Sequence, residues 1–94
     1  MFIPLNGPGV QGALSVSTTA VELKVGATAL DQRAVVTIQP LDGDVYYGYT
    51  AGVTASTGTK IFKGQHFPLE ATDQLSVYLV AASGTIDVRI TEVS

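Results

Sequence analysis

Four places in the chain carry residue types that could do chemistry: the lone histidine His66, the aspartates Asp42 and Asp44, Ser83 beside Gly84, and the glycine-rich run Gly7 to Gly12. Asp42 and Asp44 begin the alternate-position pattern of a calcium loop, which also needs glycine at position six and a bidentate glutamate at position twelve. Those positions hold Tyr47 and Val53, so the pair reads as a turn, and the only ion left to it is a weak one shared with a neighbouring chain. With one histidine, a multi-histidine metal site within one chain is excluded, and no nucleophile elbow accompanies His66. Ser83 sits in Ala82-Ser83-Gly84-Thr85, ordinary turn chemistry rather than a strained strand-to-helix corner. Gly7-Pro8-Gly9-Val10-Gln11-Gly12 matches G-x-G-x-x-G, but a dinucleotide fingerprint follows a buried strand and opens a helix, whereas this run sits beside prolines and precedes β-branched residues. No catalyst, metal or cofactor is expected.

The residues that remain are suited to contact. Tyr46, Tyr47 and Tyr49 crowd three phenols into four positions, with Tyr47 and Tyr49 on one face of a strand and Tyr46 on the other. Tyrosine combines a large apolar ring with a hydrogen-bonding tip, which suits an interface and equally suits plain packing; Tyr78 belongs with them. Asp87 and Arg89 lie two apart on the outward face of the last strand, placed to pair with each other or across to Arg33 or Asp31; at an interface such a pair sets register and partner choice. Phe2, Ile3 and Leu5 are apolar residues in a segment whose prolines and glycines disfavour helix and central strand. An arm that packs on its own domain or on a neighbouring subunit explains them; a frayed end is the plain alternative.

The elements that must position these groups are strands. Leu75, Val77, Leu79 and Ala81 alternate with Gln74, Ser76, Tyr78 and Val80, and Ile86, Val88 and Ile90 alternate with Thr85, Asp87, Arg89 and Thr91. Between them Ala82, Ser83 and Gly84 suit a short hairpin loop with Gly84 at positive φ. Upstream, Val21, Leu23 and Val25 alternate with Glu22 and Lys24 in a strand over Val16 to Val25. In Arg33 to Gln39, Ala34, Val36 and Ile38 share one face and Arg33, Val35, Thr37 and Gln39 the other, and Pro40, without an amide donor, ends the ladder. Leu41 to Asp44 turns into the strand Val45 to Tyr49, and these two strands are expected to form a hairpin. Thr50 to Thr59 reads as an exposed loop. Two short strands follow, and in the second Phe67 and Leu69 face inward while Pro68 marks an edge. No apolar pattern of period 3.6 persists. The chain is predicted to be all-β, a single antiparallel β-sandwich or jelly-roll-like barrel over residues 15–94 with an extended N-terminal arm over residues 1–14. Strand count alone does not separate a jelly roll from an immunoglobulin-like sandwich.

Ninety-four residues make one domain that buries roughly 60 to 65% of its unfolded surface. With no Cys, packing must stabilise it, and the redox compartment cannot be read. Charged residues are 14% of the chain, against about 25% in typical domains, which points to an oligomer or an assembly subunit. A net charge of −3 with five scattered Lys and Arg argues against nucleic acid. The N-terminus lacks a basic region and an unbroken apolar run, so neither signal peptide nor membrane span is expected.

The order of pieces, from RAVVTIQ through an acidic turn, VYYG, a small-residue loop and F-P-L to the closing LSVYLVAASGTIDVRI, resembles small β-sandwich virion proteins of tailed bacteriophages. The resemblance covers about Val21 to Val93, most specifically VYLVAASGTIDVRI at Val77 to Ile90. It implies a capsid decoration or cement protein, often a homotrimer, made in the host cytoplasm. Such a protein sits on the outer surface of the virion, binds the major capsid protein and bridges its subunits. The alternatives are a tail or fibre component, with the Thr50 to Thr59 loop and the tyrosines as contacts, or a carbohydrate-binding module needing an exposed aromatic platform. An enzyme would need a polar pocket with a perturbed acid or base.

Overall fold

The computed structural model describes residues 7–94. Eight strands run in order: β1 Gly9–Val16, β2 Val21–Glu22, β3 Val35–Pro40, β4 Val45–Gly48, β5 Thr59–Ile61, β6 Phe67–Glu70, β7 Tyr78–Val80 and β8 Ile86–Val93. Two four-stranded antiparallel sheets, β1-β8-β3-β6 and β2-β7-β4-β5, pack into an all-β sandwich. The first strand pairs with the last, the second with the seventh, the third with the sixth and the fourth with the fifth. That nested order is the jelly roll.

Alternation explains the core. In β3 Val36 and Ile38 are fully buried, and in β8 Val88 and Ile90 are buried while Arg89 and Thr91 beside them are exposed. They join Val16, Leu23, Val45, Ile61, Val77 and Leu79 in one cluster between the sheets. Each such side chain contributes on the order of 1.5 to 3 kcal/mol on burial. Phe67 and Leu69 pack inward from β6, an edge strand, and Pro68 is exposed there, as the alternation required. Gly84 has φ 66°, and Pro40 closes β3, its carbonyl accepting from the Gly64 amide at 2.7 Å.

Four expectations are corrected. Gln74 to Val93 is not a hairpin, because β7 belongs to one sheet and β8 to the other; β3 and β4 are divided in the same way. Among the described strands, only β4 and β5 are sequence neighbours that pair. Val16 to Val25 is not one strand: Val16 ends β1 and only Val21–Glu22 extends beyond it. The described part of the expected arm is a strand: Gly9 to Leu14 belongs to β1, paired along its length with β8. Pro8 lies just before that strand, and an edge position needs only one ladder, so the glycines and prolines do not exclude it. Phe2, Ile3 and Leu5 lie outside the described residues.

The registers place loops 17–20, 41–44, 62–66 and 81–85 at one end of the sandwich. Loops 23–34, 49–58 and 71–77 lie at the other.

Candidate interaction surface

The first end is braced by two aspartates. Asp42 Oδ1 accepts from the Asp87 amide at 2.9 Å, and Asp44 Oδ1 accepts from the Lys63 amide at 2.7 Å with Lys60 Nζ 3.4 Å from its other oxygen. The Lys63 amide, above all, holds the Asp44 carboxyl below its ordinary pKa, with Lys60 adding to the effect. The carboxylates therefore staple the β3–β4 turn to β8 and to the β5–β6 turn. No group of three or more metal-ligating side chains forms among the described residues. His66 is exposed on this end. The turn that the aspartates brace carries Leu41, 38% exposed, and the loop after β5 at the same end carries Phe62, 59% exposed, with Lys60 Nζ 5.1 Å above its ring. Phe62 is fixed through its amide, which donates to Gln65 Oε1 at 2.9 Å.

The second end is organised by a group that the sequence reading did not find. Arg33 is 2% exposed, and all its guanidinium nitrogens are engaged: with Glu92 Oε2 at 2.8 Å, and with the carbonyls of Ala71, Leu23, Thr72 and Leu75 at 2.8 to 3.2 Å. Glu92 in turn accepts from the amides of Val25 and Leu30. Arg33 thus faces the interior, not Asp87 or Arg89. Parity along RAVVTIQ put it on the face opposite Ala34, Val36 and Ile38, but β3 begins only at Val35, so Arg33 lies before the ladder in which that alternation holds. Glu92 was legible, since it shares the parity of buried Val88 and Ile90. The pair ties the loops after β2 and β6 to the end of β8. On this base stands Leu75, 40% exposed, and at the same end of the sandwich Tyr49, 52% exposed, lies on the loop after β4.

The tyrosines divide as their parity requires. Tyr47 packs against the core, edge-on to Tyr49 at 6.1 Å between centroids and tilted on Phe67 at 5.4 Å. Tyr46 lies half-buried on the opposite face. There the loop after β4 folds back, and Val53 covers Gly48 and Gly58, leaving no room for a β-carbon at either. Tyr47, Tyr49, Thr50, Thr57 and Thr59 border a surface hollow of about 330 Å³. Asp87 and Arg89 pair with each other at 3.1 Å on the outer face of the other sheet, away from the tyrosines.

No protein-family model matches the chain, and a search of curated proteins finds no match to it.

Proposed function

We propose that the chain is a non-enzymatic structural protein of a tailed-phage virion, a decoration or cement protein that binds the major capsid protein on the outer shell and bridges its subunits. The observation that supports this reading is the placement of apolar surface. Of the described residues, the large apolar side chains most open to solvent are Leu41 and Phe62 at one end, on turns held by the Asp42 and Asp44 carboxylates, and Tyr49 and Leu75 at the other, Leu75 on a loop whose carbonyls accept from Arg33 and Tyr49 set edge-on to Tyr47. A bridging protein needs two separate contact surfaces, and a jelly roll holds its ends at fixed spacing. Each contact is small, and repetition over a symmetric shell makes the sum firm.

The hollow beside Tyr49, bordered by threonine hydroxyls, favours a second reading as a carbohydrate-binding module; loss of sugar binding in Tyr49→Ala but not in Tyr46→Ala would support it. The test of the first reading is binding to shells stripped of this chain. Phe62→Asp and Tyr49→Asp, both exposed and both expected to fold, should each weaken binding by roughly tenfold or more. Full binding and full shell stabilisation in both variants would contradict the bridging role.

A further inference from the structure

We infer that β1 is the pairing edge of a two-fold dimer, joined to β1 of a second copy so that the sheet β1-β8-β3-β6 continues across both chains. This goes beyond the virion reading and does not depend on it. Among the described residues β1 is an edge strand, eight residues long. Open edges are usually blunted by charge, proline or shortness. The other edges are: β6 carries Pro68 and Glu70, β2 has two residues and β5 has three. GVQGALSV has no charge and no proline.

The phase of the ladder shows which groups are open. The Ser94 amide donates to the Pro8 carbonyl at 3.2 Å, and the Leu41 amide to the Asp87 carbonyl at 2.9 Å. Residues of β8 with the parity of Asp87 therefore turn their backbone groups to β3, and those with the parity of Val88 turn theirs to β1. On β1 the matching residues are Val10, Gly12, Leu14 and Val16, which leaves the N–H and C=O of Gly9, Gln11, Ala13 and Ser15 aimed at the open side. An antiparallel second copy centred on Gly12 places Gly9 opposite Ser15 and Gln11 opposite Ala13, and pairs all of those groups. No other register centred on one residue does so.

The side chains fit the same register. Val10 and Leu14 are half-buried on the inner face and would meet each other across the axis, extending the core over both chains. Gly12 stands at the axis, where strands in a non-hydrogen-bonded pair approach most closely. With no charge on the strand, two copies meet without repulsion. A two-fold dimer takes the place of the trimer that the resemblance implied.

The test is the solution mass over a concentration series by analytical ultracentrifugation, with variants that read the register. Gln11→Glu with Ala13→Glu sets like charges opposite one another at both symmetric pairs and should weaken dimerisation by roughly tenfold or more. Gln11→Lys with Ala13→Glu sets opposite charges there and should restore it. Ala13→Pro removes an amide that faces only the open edge and should give a monomer that still melts cooperatively. The expected wild-type species is a dimer of twice the 9.8 kDa chain mass. A wild-type chain that is monomeric at every concentration or trimeric, or a dimer indifferent to the two charge pairs, would overturn the proposal. Shell binding measured with the Gln11→Glu, Ala13→Glu chain reads the virion role separately.

Discussion

Arg33 Nη1 and Glu92 Oε2 meet at 2.8 Å with both side chains about 1% exposed, so the most buried charges of the described chain neutralise each other at the heart of one loop end. Removing one partner leaves a buried charge unpaired, a loss of about 3–5 kcal/mol. Glu92→Leu and Arg33→Met are each expected to lose that much in urea unfolding. The double variant should not recover fully, because Arg33 also serves the carbonyls of Leu23, Ala71, Thr72 and Leu75, and Glu92 the amides of Val25 and Leu30. A double variant as stable as the parent would show that the network's backbone bonds contribute little.

The loop folded over the tyrosine sheet makes a second, separate prediction. A β-carbon at Gly58 would lie 2.9 Å from Tyr46 Cβ and Val53 Cγ2 and 3.0 Å from the Tyr47 carbonyl oxygen. Gly58→Ala should cost about 1–3 kcal/mol by overpacking. Gly52 lies in the same loop with its nearest such neighbour at 3.9 Å, so Gly52→Ala should be close to neutral. Equal melting temperatures for the two variants would contradict the packing described.

Asp44 gives the pH dependence. Its folded pKa is depressed, chiefly by the Lys63 amide. The stability it contributes is therefore present above the ordinary carboxylate pKa and lost as pH falls through the lower folded value. Asp44→Asn keeps an oxygen acceptor for the amide but has no charge. The denaturation midpoints of the two proteins should differ at neutral pH and converge in acid below the ordinary carboxylate range. A gap that persisted unchanged into strong acid would show that the charge is not its source.

What was legible in the sequence was local. The alternation of Val36 and Ile38 and of Val88 and Ile90 gave strands and buried faces, because period two is written in adjacent residues; in Leu75 to Ala81 it held only for Val77, Leu79 and Ala81, since Leu75 is exposed and Val80 is buried as well. Which sheet each strand joins was not, because a turn residue such as Gly84 allows a reversal without saying whether the chain returns to the same sheet or crosses to the other. The partner of Gly9 is Val93, and nothing near Gly9 encodes that. The facing of Tyr46 against Tyr47 and Tyr49 followed from parity. Arg33 was misplaced because period two holds only within a paired strand, and β3 begins two residues after it, at Val35. Glu92 was overlooked although its position among buried residues marked it.

The measurement that most directly tests the central claim is the copy number of this chain in purified virions from its source, by quantitative mass spectrometry against the major shell protein. A decoration protein predicts a fixed ratio to the shell subunit throughout the particle population. A few copies per particle would move the chain to the tail, and its absence from the particle would contradict the virion role altogether.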